Sequence, residues 1–433
     1  MALRLSVALR ALTHRNFRLF FFGQSISVIG TWMTRLATAW LIYRLTHSAW
    51  LLGVTGFAGQ IPTFLLAPFA GVWVDRWNKH RVLIVTQTAA MVQSFALAAL
   101  AFSHHIQVWQ ILALSICQGL INAFDMPARQ SFLVQMVEGR EDLSSAIALN
   151  SSIVNLARLL GPSLAGIVIA VSGEAWCFFA DGVSYIAVII SLLMMQVTSA
   201  FPAREDRPSM LFDLRAGWTY VRSMPSIRTI LLLFAIVSLM GIPYTTLMPI
   251  FASTVLHGGA HTLGFLMGAA GCGALAAALV LAMRTTVLGL GKIIGWSAAV
   301  FGLGLAAFSQ SHIFWLSMVL IFIAGFGMIQ GLSSSNTVIQ TLTSDEMRGR
   351  VMSYYTMAFV GMAPFGSLLA GAMAHWFGAQ RTLLITGLCC ACGSIWYFSN
   401  YQQIREHMRP IYRELGILPE QPAELAAAVA TED

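Results

Sequence analysis

Four ionisable residues stand where lipid would surround them: Arg35, Asp125, Arg158 and Asp181. A charge at mid-membrane costs at least about 2.5–3.5 kcal/mol on insertion scales, so each is expected to be paired or used. At 1.5 Å per residue from the span ends, Arg35 lies about 12 Å and Asp181 about 9 Å from the outer surface, Arg158 about 20 Å and Asp125 about 27 Å. These depths predict two opposite-charge pairs, Arg35 with Asp181 and Asp125 with Arg158. A carboxylate held by a guanidinium must lose that partner before it takes up a proton at neutral pH, which would couple protonation to shape. Either acid can fill that coupling role or sit in a fixed structural pair; Asp125 is the stronger candidate of the two. Gln24, Asn122, Asn155, Gln330 and Asn336 add polar groups for a substrate cavity. Met328, Met357 and Phe359 among them suit a large, partly apolar ligand better than a sugar.

A second polar cluster has the spacing G-x-x-x-D-R-x-x-K-x-R: Gly71, Asp75, Arg76, Lys79 and Arg81. Three cations in a tight interhelical turn fix the side of a membrane on which the turn sits, but they leave Asp75 unexplained. A glycine permitting close helix approach and an acid able to pair with a cation or a helix N-terminus make the turn a candidate conformational latch. Elsewhere Gly161, Pro162 and Gly166 place close contact and a helix bend in one span.

The elements that must position these groups follow from composition. The chain is 57% hydrophobic and only 10% charged over 433 residues, against roughly 25% charged for soluble domains. Crossing about 30 Å of hydrocarbon takes about 20 apolar residues. Twelve such segments occur, from 17–43 and 50–74 through 81–103, 107–126, 143–171, 175–197, 227–256, 262–283, 292–310, 313–338 and 350–377 to 380–402. All are expected to be helices, because an unpaired backbone cannot lie in lipid. The predicted fold class is all-α and polytopic, a six-helix half over 1–198, a cytoplasmic linker over 199–226, a second half over 227–402 and a loosely ordered cytoplasmic tail over 403–433. Within the linker, 211–224 has helical spacing and is expected to lie along the membrane surface.

The net charge of +7 reflects topology rather than a nucleic-acid partner. Of the 25 Lys and Arg, 21 fall on the side holding the N-terminus, which puts both termini in the cytoplasm of a multi-pass plasma membrane protein and agrees with an even number of spans. No cleavable signal peptide is expected, since the first apolar span is too long. The halves also resemble each other. A shift of 205 lays Gly161 on Gly366 and Leu164, Ala165 and Gly166 on Leu369, Ala370 and Gly371, while Gln118 and Gly119 meet Gln330 and Gly331 at a shift of 212. On this reading the first half carries about seven extra residues between 119 and 134.

The 71–81 turn resembles the signature loop between helices 2 and 3 of the major facilitator superfamily. Four further stretches are similar to its exporter branch, which holds the enterobactin exporter and the macrolide efflux proteins: Gln24 to Trp32, Trp40 to Ser48, Asn122 to Gln130 and Asn155 to Pro162. The second half departs from the pattern, with no Asp between Arg284 and Lys292. The resemblance implies two six-helix halves about a pseudo-twofold axis, alternating access and export of a drug, macrolide or siderophore by proton antiport. It also implies that the 71–81 loop stabilises an outward-facing state, that Gly161 and Pro162 belong to an antiporter signature, and that the chain works as a monomer in lipid without a cofactor. An importer of the same superfamily is the nearest alternative.

A membrane-embedded enzyme or sensor is the alternative from another class. It would cluster His, Asp, Glu or Cys with nucleophile or metal spacing. The outer-loop histidines are scattered, no H-E-x-x-H or G-x-x-x-x-G-K-[ST] occurs, and the C-x-x-C of Cys389 and Cys392 falls mid-span, where small packing residues are expected. No metal site and no ATP site are expected.

Overall fold

The computed structural model describes residues 10–137, 140–196, 210–284 and 286–418, less the side chains of 67, 68, 72, 75, 140, 141 and 210–214. Every regular element among them is helical. In chain order these are α1 (Arg15–Thr46), α2 (Ala49–Arg76), α3 (Lys79–Phe102), α4 (Val108–Gln135), α5 (Arg140–Ser172) and α6 (Glu174–Leu193). After them come the linker helix α7 (Met210–Ser223), then α8 (Pro225–Val255), α9 (Ala260–Ala282), α10 (Leu290–Ser309), α11 (Phe314–Leu342), α12 (Asp345–Phe377), α13 (Ala379–Ser399) and α14 (Tyr401–Glu414).

Eleven helices among the described residues are long and apolar enough to cross a membrane, one fewer than expected. The remaining candidate, α1, is 32 residues long and packs into the same bundle. It is too polar to qualify, because Gln24, Ser27, Thr31, Thr34 and Arg35 interrupt it. Hydroxyls within the helices return to their own backbone, as Thr38 does to the Thr34 carbonyl at 2.8 Å and Thr88 to that of Ile84 at 2.7 Å, which satisfies them without water.

Within the first six helices α1 packs on α5 and α6, α3 on α6, and α2 on α4; the second six repeat the scheme, with α9 on α11 and α10 on α11 and α13. The two sets meet along two seams, α5 against α9 and α2 against α12. Each seam closes on a glycine pair at the end of the bundle away from the linker helix, called the far end below. A Cβ added to Gly166 would lie 2.8 Å from the Cα of Gly264, and one added to Gly371 would lie 2.7 Å from the Cα of Gly53. Backbones this close admit only hydrogen at Cα.

These contacts fix the internal register. Gly53 answers to Gly264 and Gly166 to Gly371. Gly119, which would drive a Cβ to 2.7 Å from the carbonyl of Gly59, answers to Gly325, likewise set against the Ala270 carbonyl, and not to Gly331. The extra residues of the first half therefore precede Gly119. Part of them are in α3, 24 residues long where α10 has 20.

Two further departures concern the elements around the bundle. The linker helix forms at 210–223 but packs onto the start of α12, with the Trp218 and Tyr354 rings 5.9 Å apart and Gly217 under Tyr354. The stretch after Tyr401, expected to be loose, is helical to Glu414 because Ile404, Met408 and Tyr412 recur every four residues and bury one face against α8. Residues 199–209 of the linker and 419–433 of the tail lie outside the described set. Among the described residues, π-type widened turns occur at Val237–Gly241 and Phe251–Val255 in α8 and at Met357–Gly361 in α12.

Adding methyls at both seams with Gly166→Ala and Gly371→Ala should force the backbones apart, each substitution costing about 1–3 kcal/mol of closed-state packing. Spin labels at His105→Cys and His312→Cys, in far-end loops of opposite halves and in a background lacking the six native cysteines, should then report a longer distance. An unchanged distance would show that the seams do not hold the far end shut.

Candidate functional site

The core of the first half holds the four charged residues in an arrangement different from the expected pairs. α6 carries Asp181 into the packing between α1 and α3, where the carboxylate Oδ2 accepts from the hydroxyls of Thr34 at 2.8 Å and Ser94 at 2.9 Å. Its Oδ1 is buried without a partner. Gly30 makes the room: a Cβ there would sit 2.7 Å from that oxygen. Arg35 is within electrostatic range, but the two form no ion pair.

Asp125 does not pair with Arg158. It bonds Arg129, one turn further along α4, and accepts from Thr86 at 2.9 Å and Gln87 at 2.7 Å. The i,i+4 spacing explains the pairing, since residues four apart share a helix face. Asp125 is therefore held in place by partners on α3 and α4, with none from the second half.

Freed of both acids, the two arginines converge on one indole. The guanidinium carbons of Arg35 and Arg158 lie 5.1 Å and 5.5 Å from the centroid of Trp32. Counted from the helix ends, Thr46 and Ser172, the depth difference between them narrows to about 4.5 Å at 1.5 Å per residue, a gap that long side chains can span. The Nε and Nη1 of Arg158 are buried with no hydrogen-bond partner. Arg35 is exposed and Arg158 half-buried.

Gly161 lets α5 meet α1 here, a Cβ at that position falling 2.5 Å from Trp32 Cβ and 3.0 Å from the Ile29 carbonyl. Pro162 stands inside the continuous α5, and its carbonyl faces Gly264 across the seam. The polar residues assigned to a cavity divide. Gln24 and Gln330 are buried between helices, whereas Asn122, Asn155 and Asn336 keep partial exposure. Gln118 donates to Asn122 at 3.1 Å. Near Gln330, Ser334 and Ser335 are buried with unpartnered hydroxyls.

In the 71–81 turn, α2 stays helical to Arg76, and Asn78 caps α3 by accepting from the Arg81 amide at 3.1 Å. Arg76 and Arg81 are exposed, Lys79 is half-buried, and a Cβ on Gly71 would meet nothing within 4 Å among the described residues in this conformation. The Asp75 side chain lies outside the described residues. An open groove of about 470 Å³ lies elsewhere, between the linker helix and Met347 at the start of α12, far from the buried charges.

Sequence reasoning missed Trp32, Thr34, Ser94 and Arg129. Only Arg129 had a legible signal, its spacing from Asp125; the others depend on which helices touch. Breaking the Asp125–Arg129 pair from one side should destabilise strongly. Arg129→Ala should cost about 3–5 kcal/mol by leaving a buried carboxylate, while Asp125→Asn with Arg129→Gln should lie closer to wild type. Thermal melts of the purified variants check this; equal losses in both would show that the pair is not the source of the stability.

Residues 6–421 match the family model described as transmembrane secretion effector. The staphyloferrin A transporter of Staphylococcus aureus is 28% identical, over 88% of this chain and 95% of that one. The multidrug efflux pump Tap of Mycobacterium tuberculosis is 25% identical over 93% and 95%, and the enterobactin exporter EntS of Citrobacter koseri 25% over 87% and 89%. Among solved structures, a bacterial homologue of the human lysosomal transporter Spinster, inward-facing and occupied, superposes with a TM-score of 0.72 at 12% identity, covering 90% of this chain and 97% of that one. At that identity the match speaks for the fold alone. With the family model spanning nearly its whole length, and with two six-helix sets meeting at paired seams, the chain belongs to the transmembrane secretion effectors, exporter-type transporters of the major facilitator superfamily.

Proposed function

We propose that this transporter exports a small hydrophobic or mixed-polarity molecule, of the drug, macrolide or siderophore class, by alternating access in exchange for protons. The observation that carries the reading is the pair of glycine seams, which join the halves at the far end and leave the buried charges at mid-depth beneath them. Residues 1–198 and 227–402 rock as two bodies, the seams parting when the far end opens, tied by the 199–226 linker, with the 403–433 tail and both termini in the cytoplasm. The far end is then the outer side, and the present state opens inward. The names of the relatives, a staphyloferrin A transporter, a multidrug pump and an enterobactin exporter, support the substrate range. The protein acts as a monomer in lipid.

In this reading the 71–81 turn is the latch of the opposite state. Gly71 is uncontacted here because the helix it admits comes close only when the inner end shuts. Proton coupling falls to Asp181 rather than Asp125. Asp125 has a fixed cation and two further donors, whereas Asp181 has hydroxyl donors on one oxygen and nothing on the other. A carboxylate of that kind can take a proton on its free oxygen and offer it to a new acceptor without breaking an ion pair. Movement of α1 against α6 would then alter its hydroxyl partners.

Proteoliposomes carrying the full chain and a pH gradient, screened with a macrolide, a cationic dye and a catecholate siderophore, test this. Wild type should move at least one compound towards the acidic compartment. Asp181→Asn should abolish gradient-driven flux while retaining substrate exchange at equal pH, and Asp125→Asn, if inserted normally, should retain gradient-driven flux. Loss of gradient-driven flux in Asp125→Asn alone would return the coupling role to Asp125; no flux of any compound would overturn the transport reading.

A further inference from the structure

We infer that the transported molecule is an anion, bound through a carboxylate or similar oxyanion at Arg158 and Arg35, with a flat apolar body laid against Trp32. The inference rests on the transport reading and names the substrate class of that same site. Its basis is an imbalance of charge. Arg35, Arg158 and Asp181 share the core around α1, so two cations face one acid, and the acid is bonded to Thr34 and Ser94 rather than to either guanidinium. The Asp125–Arg129 pair is neutral within itself and contributes nothing to the balance.

The cost of that imbalance is large. It falls on Arg158, half-buried with two nitrogens covered: a buried charge without a counter-ion is strongly disfavoured even after relaxation, and a cation–π contact returns only a small part of that cost. Arg35 and Arg158 also repel one another. Two nitrogens of Arg158, Nε and Nη1, have no acceptor, although arginine's planar array of donors suits paired oxygens. One oxyanion would meet all three demands at once: acceptors for Arg158, a counter-charge for both cations and relief of their repulsion.

The surroundings define the rest of the ligand. Trp32 lies beside both guanidiniums, so an aromatic body joined to the oxyanion would meet it in the offset or edge-on contact that aromatic rings favour. Tyr244 of α8, in the second half, lies within electrostatic range of Arg158. Leu159, next to Arg158, faces Gly271 of α9 across the seam. The anion would therefore be recognised where the two halves meet, so that its binding depends on their relative position.

Two dyes built on the same xanthene ring system, anionic carboxyfluorescein and cationic rhodamine 123, separate charge from shape. Fluorescence polarisation with the purified full-length protein should show saturable carboxyfluorescein binding. Its apparent Kd should rise about tenfold or more in Arg158→Gln and Arg35→Gln, as expected on removing a buried charge contact, and be partly restored in Arg158→Lys. Rhodamine 123 affinity should be unchanged or stronger in the same variants. Melting curves identify any variant that has lost its fold; should Arg158→Gln be one, Arg35→Gln and Trp32→Phe carry the test. No saturable binding of carboxyfluorescein, equal affinity in wild type and folded variants, or tighter rhodamine 123 binding by wild type would overturn the inference. Because binding is measured without flux, a failed anion site and a failed transport reading give different results.

Discussion

Backbone contact between the two halves is the constraint on which the rest of this molecule depends. At Gly53 with Gly371 and at Gly166 with Gly264 the helices approach so closely that no side chain fits between them. Membrane helices gain little from hydrophobic burial against one another, and their association relies on close packing of small residues. Two such contacts, related by the internal symmetry, hold twelve helices as two sets of six and set the depth at which α1 and α5 face the interior. The charges around Trp32 lie just beneath.

That placement also explains why charge is tolerated inside the bundle. α1 is the most polar long helix of the set, and its polar face is turned inward: Thr31 reaches Tyr185, and Thr34 reaches Asp181. Polar groups that would be costly against lipid are there used to hold a carboxylate. Asp125 follows another solution, an ion pair made within one turn of its own helix and braced by two residues of α3. One acid is thus fixed and the other left with a free oxygen, although the two had looked alike as residues in apolar segments.

Much of the architecture was legible in the sequence, because lipid imposes length and apolarity on every span. The helices, the linker helix and the Gly161–Pro162–Gly166 cluster follow from local pattern. The partners of the charged residues did not follow, for a physical reason. Depth along a helix can be counted from its ends, but the direction in which a side chain leaves the helix depends on how the helices are rotated in the bundle. A three-residue extension of α1 narrowed the depth gap between Arg35 and Arg158, and the rotation of the helices brought both side chains to Trp32. The amphipathic tail helix was missed for a different reason: its apolar residues Ile404, Met408 and Tyr412 are few among many charges, and their fourfold spacing matters only because α8 offers a face to cover them.

The three π-type turns bear on how such a molecule deforms. Where a helix widens, the i to i−4 hydrogen bond is lost, and the cylinder is softer to bending at that point. All three occur in α8 and α12, and none among the described residues of the first six helices. Two halves that share one plan of packing therefore differ in how their helices depart from the regular ladder. In the first half the interruptions are prolines, such as Pro127 in α4 and Pro162 in α5, while the second adds the widened turns to prolines of its own. A frame symmetric in packing thus offers each half a different set of points at which a helix can bend.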